Sequence, residues 1–147
     1  MRRSLSGIAA VLLGSALLAS PALAEEMQRQ APPEDAKVDI IAPQDGATVS
    51  GPLTVRMGLK GMGVAPAGME APNTGHHHLL IDTPLADVDL SAPLPSTEQT
   101  RHFGGGQTQA TLELPPGEHT LQLLFMDHRH LSFDPPVISA PITITVE

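Results

Sequence analysis

The chain has 147 residues, 8 basic and 16 acidic, with 7 histidines and no cysteine, tryptophan or tyrosine. A net charge of −8 argues against a phosphate backbone as partner, and the lack of cysteine excludes disulfides and thiolate metal ligation. Only Phe103, Phe125 and Phe133 supply aromatic bulk, so Leu, Ile and Val must fill the core.

The first residues read as an address rather than as structure. Arg2 and Arg3 form a basic start, Ile8 to Ala19 an apolar run of 12 residues, and Ala22-Leu23-Ala24 a small-residue cleavage site. Residues 1–24 are therefore expected to be a signal peptide, removed near Ala24 to leave a periplasmic or secreted protein. The arginine pair raises the twin-arginine route, but the fuller consensus around it is missing, which favours Sec export. With no cysteine near the cleavage site, lipoprotein anchoring is not expected. The apolar run is too short to span a membrane, and nothing later approaches 18 apolar residues. Without Arg2 and Arg3, 6 basic residues face 16 acidic ones, a net charge of −10 with histidines neutral. Such a surface attracts cations.

Residues 25–36 are polar and carry Pro32-Pro33, the pattern of a flexible lead-in. Residues 37–147 then form one domain of strands and turns. Lys37 to Ala42 is a short apolar segment ending in the turn signal Pro43-Gln44-Asp45-Gly46. Leu53 to Lys60 alternates with period two, as a half-buried strand does, and Met62 to Thr74 is a Gly/Pro/Ala-rich loop. His76 to Thr83 alternates again. Pro84 to Thr100, with Pro84, Pro93 and Pro95, reads as a long connection with room for one short edge strand. Thr108 to Leu114, Glu118 to Asp127 and Val137 to Val146 complete the set, with Pro115-Pro116-Gly117 a tight turn. No segment after residue 36 has a capped 3.6-residue period. The pattern predicts an all-β protein, a sandwich of about seven strands.

Two histidine clusters stand out: His76-His77-His78 and the pair His128 and His130 after Asp127. Imidazole is a common metal ligand and titrates near neutrality. On a strand, His76 and His78 project from one face about 6.6 Å apart along the backbone, a spacing that lets two rings share an ion. His77 points to the Leu79/Ile81 side, as a buried structural histidine or a ligand from the interior. The alternative for both clusters is a solvated strand start and a polar loop.

Four blocks, Gly61–Gly68, Thr74–Asp82, His102–Thr108 and Pro116–Leu123, resemble the signature of an exported bacterial family, number 4399 among domains of unknown function. Asp134-Pro135-Pro136-Val137 and Ile142 to Val146 also fit, so the likeness covers about Lys37 to Val146. It implies no secure activity. One departure is Phe133, where the family pattern has a further histidine. If that histidine is a ligand in relatives, this chain has one donor fewer, which His128 would offset.

Separately, Ile40 to Val49 resembles the opening strand and turn of immunoglobulin-like and fibronectin-like modules. In that topology the connections carrying His76–His78, His102, His128 and His130 gather at one end. The candidate metal ligands are therefore His76, His78, His102, His128 and His130, with His77, Asp127 and Met62 as weaker ones. His119, at the other end, is expected to make a structural hydrogen bond. Nitrogen ligation suits copper, with zinc the alternative, and Met57, Met62 and Met69 are possible thioether donors for Cu⁺. The expected role is copper carriage, buffering or delivery, with an envelope metal-handling protein as partner. A second reading is a non-catalytic interaction module whose histidines only pack and titrate. No nucleophile elbow, H-E-x-x-H, P-loop or dinucleotide fingerprint points to an enzyme.

Overall fold

The computed structural model describes residues 27–147, so the signal-peptide expectation lies outside the described residues. Ten strands run in chain order: β1 (Lys37–Ala42), β2 (Thr48–Val49), β3 (Leu53–Lys60), β4 (Gly63–Val64), β5 (Thr74–Ile81), β6 (Thr100–His102), β7 (Gln109–Leu112), β8 (Gly117–Met126), β9 (Ser132–Ile138) and β10 (Ile142–Val146). The one helical turn among the described residues is a 3-10 segment, Leu85–Asp87. No helix among the described residues is long and apolar enough to cross a membrane.

Two sheets form the sandwich. The smaller has the order β1-β3-β7; the larger runs β2-β10-β8-β5-β4, with β6 beside β5 and β9 beside β8. Alternation explains the interior. Leu53, Val55 and Met57 of β3 face Leu121, Leu123 and Phe125 of β8, Leu79 and Ile81 of β5, and Ile144 and Val146 of β10, all buried in one cluster. Burying such side chains contributes about 1.5–3 kcal/mol each. The strand orders β1-β3-β7 and β10-β8-β5 are those of positions A-B-E and G-F-C in an immunoglobulin-type sandwich.

One expectation is corrected. The ten strands among the described residues include two of only two residues, β2 and β4, and the last strand, expected as one piece over Val137–Val146, is two. Pro141 has no N–H to donate, and the neighbouring Ser139 hydroxyl takes the Leu123 N–H at 2.9 Å. The edge therefore jogs: β9 pairs with the far half of β8 and β10 with its first half. The segment before β1 lies against β9. Gln30 accepts the Asp134 N–H at 2.9 Å, and Arg29 pairs with the Asp134 carboxylate at 3.0 Å.

β5 is buried on both faces over its whole length after Thr74, every residue from Gly75 to Ile81. Its inner face belongs to the interior cluster. Its outer face is covered by the connection between Asp82 and Gln99, where Leu94 is buried with Leu80, Leu124 and Met126, and Leu85, Val88 and Leu90 pack around them. Gly75 makes the β5–β8 approach possible: a Cβ there would collide with the Met126 carbonyl oxygen and press on the Phe125 ring. Gly75→Ala is accordingly expected to destabilise the fold by at least about 2 kcal/mol, read as the shift of a urea unfolding transition.

Candidate metal centre

The sandwich puts four imidazoles against one another on the outer face of the larger sheet. His76 and His78 alternate with the inward-facing His77 and Leu79 on β5, so both project outward. His102 arrives by strand pairing, since β6 sets it directly opposite His78. This corrects the reason given for its approach: it joins β5 as a neighbouring strand rather than through the loop before β7. The fourth ring comes from the turn between β8 and β9. There the chain reverses over Asp127 to Leu131, with the His130 N–H bonded to the Asp127 carbonyl at 3.0 Å.

That turn is built by Asp127. Its carboxylate is buried and accepts the Arg129 N–H at 2.8 Å and the Leu131 N–H at 3.0 Å on Oδ1. The Arg129 guanidinium binds Oδ2 at 2.9 and 3.1 Å. His130 is held between these bonds at φ 63°, a conformation uncommon for a residue with a Cβ. Its carbonyl in turn accepts the Leu94 N–H at 3.0 Å, joining the turn to the covering connection.

Ring centroids stand 4.5 Å apart for His76–His78, 4.3 Å for His78–His102, and 4.8 Å for both His76–His130 and His102–His130. One ligand nitrogen from each of His76, His78 and His130 lies within 4.8 Å of the others. Two nitrogens on opposite sides of one ion, each about 2.0–2.1 Å from it, stand about 4 Å apart. Small rotations of these side chains therefore close the set. The His102 ring lies against those of His78 and His130, with Nε2 buried.

The electrostatics of the cluster are unusual. Both nitrogens of His76 and His78, and Nε2 of His102, are buried with no hydrogen-bond partner among the described residues. An unpartnered buried polar group costs about 1–3 kcal/mol. Burial pushes the His76 pKa down to about 4, helped by the charges that His130 and His102 would carry. It pushes His78 to about 2, with His76 and His102 adding to the effect. His102 is lowered by burial and by His130, with the Pro95 carbonyl acting the other way. These rings are thus held neutral, the form that binds metal.

Other candidates lie elsewhere. His77 is fully buried on the inner face, edge-on to Phe125 with centroids 5.1 Å apart, and burial lowers its pKa to about 4. Both its nitrogens also lack a partner among the described residues. His128 is half-buried and not among the rings in mutual contact; its carbonyl accepts the Gly68 N–H at 2.9 Å. Asp127 is occupied in holding the turn. Met62 packs against the interior cluster, across the sheet from the four rings, and Met57 is buried in that cluster. Met69 is 56% exposed. Phe133 faces the interior, stacked at 6.4 Å on Phe125, so a histidine at this position would not join the outer-face cluster. Met126 had no part in the sequence reading, yet it is fully buried and sits opposite His76 on β8. Its alternation with Leu124, given pairing of the two strands, is the signal for it.

His119 lies seven residues along β8, about 23 Å from the level of Met126. Its Nδ1 meets Asp82 Oδ2 and its Nε2 the Pro115 carbonyl, both at 2.7 Å. The bond to Asp82, then that to Pro115, raises its pKa. The ring ties the turn after β5 to the turn before β8.

The four rings of the outer-face cluster all fall within residues 55–147, which match the model of a family described as Domain of unknown function (DUF4399). The chain belongs to this family. The match runs from within β3 to the end of the chain and leaves β1 outside it. No curated protein and no solved structure matches the chain.

Three outcomes follow for this DUF4399 domain without metal. Between pH 6.5 and about 4 the unfolded chain takes up protons that His76, His77 and His78 refuse in the fold. Stability is therefore full above pH 6.5 and falls on acidification, each ring adding up to about 1.4 kcal/mol per pH unit. The His119 contribution has the opposite sense, present below pH 6.5 and lost as pH rises through its raised pKa. Urea midpoints measured from pH 7 to 4.5 check the slope, which should shrink in His78→Leu. That substitution removes two unpartnered nitrogens and keeps the bulk, so the metal-free Tm should stay level or rise. Asp127→Ala should instead cost about 2–4 kcal/mol, because the turn loses the acceptor of its backbone N–H groups and leaves Arg129 unpaired.

Proposed function

We propose that this domain binds one transition-metal ion, copper, through His76, His78, His102 and His130, and that its task is carriage, buffering or delivery. The observation that carries the reading is the convergence of four imidazoles, three of which, His76, His78 and His102, have buried, unpartnered nitrogens. Such nitrogens cost stability in the bare protein, and a shared ion would satisfy them. All-imidazole donors suit Cu²⁺ and Zn²⁺, and the Irving–Williams order ranks Cu²⁺ above its divalent neighbours. Zinc is the alternative cargo.

Carriage rather than turnover is favoured by burial. His76 and His78 have no exposed surface, and the cluster of Leu80, Leu94, Leu124 and Met126 on the same side of the sheet is apolar. The acidic surface draws cations toward the protein. Residues 1–24 suggest that this happens in an exported compartment, with an envelope metal-handling protein as donor or recipient.

The test is calorimetry on the untagged chain from Glu25 onward. Cu²⁺ should bind at one equivalent with Kd below about 1 μM, about −8 kcal/mol or better, and should raise the Tm by mass action. Replacing His76 and His78 together by Leu should abolish this binding with the fold retained. His119→Ala should keep the binding and lower the Tm. No saturable binding of copper or zinc would leave the interaction module as the better account.

A further inference from the structure

We propose that the Met126 thioether is a further donor at the histidine cluster, so that the site holds Cu⁺ as well as Cu²⁺; this rests on the copper reading above. Met126 ends β8 and is the register partner of His76. Directly opposed residues of an antiparallel pair share a face, with Cβ atoms about 4.5–5.5 Å apart. The thioether therefore starts from the outer face that carries His76 and His78, and the Met126 side chain is fully buried there. The missing Cβ at Gly75 lets the backbone of β8 come close to β5 at this level.

Among the described residues no other methionine has this position. Met57 and Met62 belong to the interior, and Met27 and Met69 are 39% and 56% exposed. The surroundings favour the lower oxidation state on two independent grounds. A thioether is a soft donor that prefers Cu⁺ to Cu²⁺ or Zn²⁺. Met126 belongs to one buried apolar cluster with Leu80, Leu94 and Leu124, which keeps water away. A single charge costs less to dehydrate in such an apolar setting than a double one. Imidazole nitrogens serve both states, so Met126 acts on selectivity between them.

The experiment is an anaerobic competition titration of Cu⁺ against bicinchoninate, run beside Cu²⁺ and Zn²⁺ titrations, on the native chain and on Met126→Leu. Leu conserves the bulk of Met and keeps the packing. The expected result is a loss of about tenfold or more in Cu⁺ affinity, with Cu²⁺ and Zn²⁺ unchanged within about threefold. X-ray absorption of the Cu⁺-loaded native chain should find a sulfur neighbour, which must be methionine in a protein without cysteine, and Met126→Leu should lose it. Unchanged Cu⁺ affinity in Met126→Leu, or only nitrogen neighbours in the native chain, overturns the inference. A native chain that binds Cu²⁺ but not Cu⁺ overturns this inference alone. Failure to bind either ion takes the proposed function with it.

Discussion

The antiparallel ladder between β5 and β8 governs this molecule. It sets His76 opposite Met126, His78 opposite Leu124 and Leu79 opposite Leu123, and thereby decides which side chains meet in the interior and which meet outside it. Because side chains alternate across a strand, a slip of one residue would send His76 and His78 into the sandwich and His77 out of it. The large apolar residues on the inner face oppose such a slip. Hydrophobic burial on one side of the sheet thus holds the polar cluster in register on the other.

The outer face is the costly one. A sheet in a sandwich commonly shows water a polar surface, yet here the connection between β5 and β6 folds back over it and encloses three strands' worth of side chains. Leucines drive that closure, and the histidines are enclosed with them. The fold stores an unfavourable arrangement of neutral imidazoles in a dry setting, held by the favourable burial of Leu80, Leu94, Leu124 and Met126. Polar groups kept together against their solvation preference are a common mark of a site that binds something.

The second device is the turn after β8. Asp127 lies on the chain beside two histidines, so its carboxylate is an obvious candidate ligand. Its oxygens instead take hydrogen bonds from the turn itself, and the result is the placement of His130 over the β5 rings. His119 and Asp82 do comparable work at the opposite end of β8, where the imidazole joins two turns.

Much of this was legible in the residues alone, because alternation and turn chemistry are local. Period two in Leu53 to Lys60 and in Glu118 to Asp127 gave the strands and their inward faces, and the i, i+2 spacing put His76 and His78 on one side with His77 on the other. The Gly/Pro turns bounded the elements, and the separation of His119 from the other histidines followed from strand length. The tertiary structure alone decided the rest, which depends on pairs distant in sequence. Only strand pairing brings His102 beside His78 and Met126 beside His76, and only the folding back of the Pro84–Thr100 connection buries the outer face. A Leu-containing, Pro-rich segment of that kind carries no period to announce which sheet it will cover. The choice between His128 and His130 rested on one positive φ in a turn closed by Asp127, a geometry that backbone bonding sets and side-chain spacing does not.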